Sequence, residues 1–97
     1  MVDEQEHRER YELVLASPAR RAIAETLPEV VAAAVVEFVT GPLVRSPHRV
    51  GKPLEAPLKG LFAARRGAFR ILYRVDEGRG EVVVVRVDHR RDSYRPH

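Results

Sequence analysis

The 97-residue chain contains no cysteine. Disulfides and thiolate metal sites are therefore excluded, which fits a cytoplasmic location in a reducing compartment. Long hydrophobic runs are missing as well. The longest, Val30 to Val36, falls far short of the roughly 20 apolar residues a bilayer-spanning helix needs, so no membrane role is expected. The first ten residues are charged where a secretory signal would be apolar. Internal repeats and low-complexity tracts are absent. At this length one modest core can form, but not two. The expected organisation is a charged N-terminal extension over residues 1–10 and a single domain over residues 11–97.

Lysine disappears after Lys59, and the charge is uneven. Residues 1–60 hold 8 Lys/Arg against 9 Asp/Glu, whereas residues 61–97 hold 9 Arg against 5 Asp/Glu, within a net charge of +3 for the whole chain. Arginine presents a planar fork of donors that matches phosphate and carboxylate oxygens in pairs. An arginine-only basic region points to such partners. A GC-biased genome yields the same composition without any partner, so both readings stay open on composition alone.

The stretch from Arg65 to Tyr94 organises the rest. Ala68 to Val75 and Glu81 to Arg90 are two β-rich runs separated by a Gly-bearing break at residues 76–80, which predicts an antiparallel hairpin. A five-residue loop sets Val75 against Glu81. Tyr73, Ile71 and Phe69 then oppose Val83, Val85 and Val87 on one apolar face, and Arg70 opposes Arg86 on the other, with Arg74, Asp88 and Arg90 on that same side. Two arginines directly opposite each other repel. Either acidic neighbours offset them or they await an anion.

Upstream, Tyr11 to Leu15 alternates as a short strand. Ser17-Pro18 is a capped helix start with proline at the first helical position, and Pro28 ends that helix and opens a second. Val31, Ala34, Val35 and Phe38 give the second helix a buried stripe, and Gly41-Pro42 stops it, with a further turn allowed through Leu43 to Arg45. Residues 46–59, with three prolines and no periodicity, read as a loop. Leu61 to Arg66 resumes strand character, with a tight turn at Gly67. The fold class is α+β: strand, two helices, three antiparallel strands, with the helical hairpin on one face of a small twisted sheet.

These residues, taken in order, resemble the RelE/ParE toxin superfamily of bacterial type II toxin–antitoxin modules, and within it the RelE branch. The likeness rests on Val50-Gly51-Lys52-Pro53-Leu54, on Arg65-Arg66-Gly67-Ala68-Phe69-Arg70-Ile71-Leu72-Tyr73-Arg74, and on His89-Arg90-Arg91-Asp92-Ser93-Tyr94. It spans residues 11–95. It implies a ribosome-dependent mRNA endonuclease that works in the decoding site and is neutralised by a RelB-like antitoxin, with operator DNA as an expected partner of the toxin–antitoxin complex. The implied chemistry is attack of a ribose 2′-OH on the adjacent phosphate to leave a cyclic phosphate. It needs a base, an acid, cations for the phosphorane and an in-line pose. No cofactor or metal is implied, and the scattered His7, His48 and His97 lack ligand spacing.

By the same resemblance Arg70 and Arg90 clamp the scissile phosphate, Tyr94 stacks on a base or moves a proton, and Arg65 adds charge. Two lysines that some RelE toxins carry on the preceding strand fall here at Leu61 and Ala63. Candidates to fill that gap are His89, whose imidazole suits acid or base work near neutrality, and Lys52 or Lys59 from the loop; Arg86 is a further phosphate-binding candidate. Two other readings keep the fold: a ParE-like toxin that binds DNA gyrase without chemistry of its own, and a non-catalytic toxin acting only as half of a DNA-binding complex.

Overall fold

The computed structural model describes residues 10–89 and residue 91. The elements are β1 (Glu12–Leu15), α1 (Ser17–Arg21) continuing as a π-helical segment (Ala22–Thr26), α2 (Glu29–Thr40), α3 (Pro42–Arg45), α4 (Pro47–Val50), β2 (Lys52–Pro53), β3 (Phe62–Arg66), β4 (Phe69–Asp76) and β5 (Glu81–His89). Five strands form one sheet in the order β1-β5-β4-β3-β2. The β1–β5 pair is parallel and the others are antiparallel. This is the expected α+β plan, with the first strand at an edge. The charged extension over residues 1–10 lies outside the described residues except for Arg10, whose guanidinium donates to the Thr40 carbonyl at 3.2 Å.

The first helix starts one residue earlier than Ser17-Pro18 suggests. Ala16 is extended, at φ −68° and ψ 159°, with its own N–H still donating to Val84 O of the sheet at 2.9 Å, and it caps the helix without a side-chain bond, since a methyl group has none to offer. Proline consequently occupies the second helical position. The helix closes with Leu27 N–H donating to Ala22 O at 2.8 Å, a five-residue step. Leu27 precedes Pro28 and turns extended, as the proline ring demands.

The segment 46–59 is not all loop. Pro47–Val50 makes a helical turn, and Lys52–Pro53 pairs with Ala63 and Phe62 as an edge strand. Proline is tolerated there because an edge strand leaves one row of its N–H groups unpaired. Gly51 joins the two elements in extended conformation. A Cβ at this position would fall on the Tyr73 hydroxyl and lie 3.0 Å from Ala63 O. That hydroxyl, fully buried, donates to Pro47 O at 2.5 Å. Close approach, not a special φ, requires the glycine.

The hairpin register differs from the expected one in a way that matters for the site. Asp76 belongs to the strand and pairs with Glu81, since its carboxylate accepts the Arg79 N–H at 3.0 Å and closes a four-residue turn. Tyr73 therefore opposes Val84, and Val82 and Val84 face the helices, while Val83 pairs with Arg74 on the other face. The register then shifts between Leu72 and Tyr73, leaving Val85 as an extra residue on β5. This bulge adds a second slip of one residue and restores the expected face beyond it. Ile71 and Val87 face the core, and Arg70 and Arg86 share the opposite side. Arg70, however, opposes Asp88 and not Arg86.

The core lies between the helices and one sheet face. Ala19, Val35, Phe38, Val39 and Leu43 pack against Ile71, Tyr73, Val82, Val84 and Val87. Burying a side chain of this size contributes roughly 1.5–3 kcal/mol each, and with no disulfide to help, this apolar layer holds the sheet flat side up for the arginines behind it. At the hairpin-loop end, Tyr11 Oη donates to Glu77 Oε1 at 2.9 Å, and His48 Nε2 lies 2.6 Å from Glu77 Oε2. The contacts tie β1, α4 and the β4–β5 turn together.

Candidate nucleic-acid interface

Strand pairing sets two rows of side chains on the sheet face away from the core. Arg65 of β3 stands opposite Arg70 of β4, which stands opposite Asp88 of β5. The next row runs Lys52, Ala63, Leu72, Arg86 across β2 to β5. The β3–β4 turn that brings Arg65 to Arg70 has only two residues, and its Gly67 sits at φ +62°, a conformation that side chains disfavour. The arginine opposition anticipated from the sequence thus exists, but between Arg65 and Arg70.

Neither arginine of that pair has an ion-pair partner among the described residues. The Arg70 Nε is buried and has no hydrogen-bond partner among the described residues. An unpaired buried donor costs about 1–3 kcal/mol, so the Arg70 guanidinium is under-satisfied where it stands. Asp88, the acidic group across from Arg70, is engaged elsewhere: its carboxylate holds Arg86 at 3.1 Å.

Arg70 and Arg65 line one side of a cleft of about 560 Å³ whose other wall is Arg49 to Lys52. Lys52 reaches the cleft because β2 pairs its position with Ala63. Arg66, pointing to the core side, is held by the Phe38 ring, 3.7 Å from guanidinium carbon to centroid, and donates to Arg65 O at 2.5 Å. It supports the wall. Among the described residues no group of three or more His, Asp or Glu could hold a metal ion, and no helix is long and apolar enough to cross a membrane.

Residues 10–94 match the family described as the ParE toxin of type II toxin-antitoxin system, parDE. The chain belongs to this toxin family. The toxin is 52% identical over 85 residues to Toxin RelG of Mycobacterium tuberculosis (strain ATCC 25618 / H37Rv), covering 88% of this chain and 97% of that one. It is 46% identical over 85 residues to Toxin RelE of the same organism, covering 88% and 87%. Its fold matches the toxin–antitoxin complex RelBE2 of M. tuberculosis with a TM-score of 0.78 at 51% identity, over 84% of this chain and 99% of that one. The isolated E. coli RelE toxin shares the fold at a TM-score of 0.68, with 18% identity over 81% and 83% of the two chains. The toxin is of RelE type.

Of the candidate residues, Arg65, Arg70, Arg86 and Lys52 share the solvent face of the sheet, and three of them line the cleft. Lys59 does not; it is exposed in the turn between β2 and β3. His89 is on the opposite face, paired with Phe69, with the two rings edge to face at 5.1 Å and its Nδ1 accepting the Arg91 N–H at 3.0 Å. The sheet separates it from the Arg65–Arg70 pair. Arg90 and Tyr94 lie outside the described residues. The cleft also contains Arg49, which sequence reasoning passed over because a single helical turn between prolines leaves no periodicity to read.

Proposed function

We propose that this toxin is a ribosome-dependent mRNA endonuclease, an endoribonuclease whose cleft binds the scissile phosphate between Arg65 and Arg70. The observation that carries the reading is the directly opposed, unpaired arginine pair with its buried, unpartnered Nε. Such a pair costs stability in the absence of an anion, and a bound phosphate offsets the repulsion. In the reaction a ribose 2′-OH attacks phosphorus, the charge that builds on the phosphorane is met by guanidinium N–H groups, and the 5′-oxygen leaves. Arg90 joins the clamp and Tyr94 takes the stacking or proton-transfer role on their place in the sequence motif. The partner that restrains the toxin is a RelB-like antitoxin, as the RelBE2 complex of the similar mycobacterial protein suggests. An acidic, amphipathic segment suits the arginine face. The toxin acts in the cytoplasm, and with antitoxin it binds operator DNA.

Primer extension on a defined message after a brief pulse of toxin, with and without translating ribosomes, tests the reading. The expected outcome is cleavage within the reading frame that requires ribosomes and is lost in Arg70→Ala/Arg90→Ala. Intact message with arrested growth would instead favour the ParE-like reading, in which the toxin binds gyrase, and a supercoiling assay would decide it.

A further inference from the structure

The side chains that could touch RNA in the cleft differ in one chemical respect. Arg49, Arg65 and Arg70 carry guanidiniums, which hold their protons throughout any accessible pH and so supply charge but no proton. Lys52 is the one residue lining that cleft whose cationic head is an amine, the chemical class of side chain that serves in proton transfer. Its place is fixed on three sides. β2 pairs Lys52 with Ala63, a short side chain that leaves the space above the sheet open. Gly51 before it is wedged against the Tyr73 hydroxyl. Pro53 after it pairs with Phe62.

We infer that Lys52 is the general acid of the cleavage step, protonating the departing 5′-oxygen while Arg65 and Arg70 hold the phosphate; the inference rests on the nuclease reading above. Lys52 stands two strands and two residues along from Arg70, a Cα separation of about 12 Å from strand spacing and rise. Two long side chains extended toward each other across that gap can meet one phosphodiester group from two directions, guanidinium on the non-bridging oxygens and ammonium on the bridging one. The step balances: the 2′-oxygen forms its bond to phosphorus and loses its proton to solvent water, the P–O5′ bond breaks, the Lys52 Nζ proton passes to O5′, and solvent reprotonates the amine. The products are a 2′,3′-cyclic phosphate and a 5′-hydroxyl.

The test uses ribosomes programmed with a message carrying either oxygen or a bridging sulfur at the 5′ position of the scissile bond. A thiolate leaves without a proton, so a lost acid is no longer missed. Wild-type toxin is expected to cut both messages. Lys52→Arg keeps the charge and, with an unchanged melting temperature, is expected to cut the oxygen message about 10²–10³-fold more slowly in a single turnover, as loss of a general acid does, yet to recover to within about tenfold of wild type on the sulfur message. Near-wild-type rates on oxygen would overturn the inference, since charge alone would then suffice. Equal loss on both messages would overturn it too, by moving Lys52 to an earlier step. Wild type that cuts neither message would remove the nuclease reading itself, and this inference with it.

Discussion

Arg65 stands directly across from Arg70 in the β3–β4 pair, and among the described residues no carboxylate binds either one. Opposed like charges destabilise a strand pair by roughly 0.2–1 kcal/mol. Replacing Arg65 by glutamate converts repulsion into a cross-strand ion pair. The Arg65→Glu variant is expected to melt about 2–5 °C higher than wild type while losing message cleavage. A differential scan beside the primer-extension assay checks both halves, and a variant that melts lower would refute the idea that the pair is held against its own stability.

Asp88 sits across from Arg70 but spends its carboxylate on Arg86, with a hydrogen bond of 3.2 Å and a contact of 3.1 Å. Neutralising it frees Arg86 and removes the one negative charge from that row. Asp88→Asn should bind single-stranded RNA more tightly, and the slope of log K against log salt should steepen by about 0.7 for each phosphate gained. A titration at several salt concentrations measures this directly. An unchanged slope would mean that Arg86 stays off the RNA.

Gly51 is held by its neighbours and not by its φ. Alanine there must push against the Tyr73 hydroxyl and the Ala63 carbonyl, one side chain and one backbone atom that cannot both yield. Overpacking of this kind costs about 1–3 kcal/mol. Gly51→Ala is expected to lower stability by that amount in urea melts and to reduce cleavage, because the displaced strand carries Lys52. If stability alone drops while cleavage at low temperature is intact, β2 does not position Lys52.

The plan of the fold was legible because its signals are long. Two amphipathic helices with proline stops and two β-rich runs around a glycine turn leave few arrangements. Register was legible only in part. Asp76 is strand by virtue of one side-chain bond to the Arg79 N–H, and no pattern of hydrophobicity reports that bond. The slip it causes turns Val82 and Val84 inward in place of Val83 and Val85. The bulge at Val85 then carries Arg70 and Arg86 back to a common face, so the face of the site could be read although its pairing could not. Short pieces escaped for a related reason: a four-residue helix and a two-residue strand have no period, and Arg49 went unnoticed inside the first of them.

Tyr73 gives a final prediction, one about stability and pH. Its ring stacks on Phe62 at 5.4 Å and its hydroxyl, shut away from water, donates to Pro47 O. Burial disfavours the phenolate and pushes the Tyr73 pKa up from 10.0 to about 12. A phenol with a raised folded pKa supports the native state fully below pH 10. Above that the unfolded chain ionises first, and the support is lost as pH climbs through about 12. The loss amounts to roughly 2–3 kcal/mol. Tyr73→Phe removes the ionisation but strands the Pro47 carbonyl, costing about 1–3 kcal/mol at neutral pH. The two melting curves, measured from pH 7 to pH 12, should therefore converge from pH 10 upward. Parallel curves would show that this hydroxyl is not sealed from solvent.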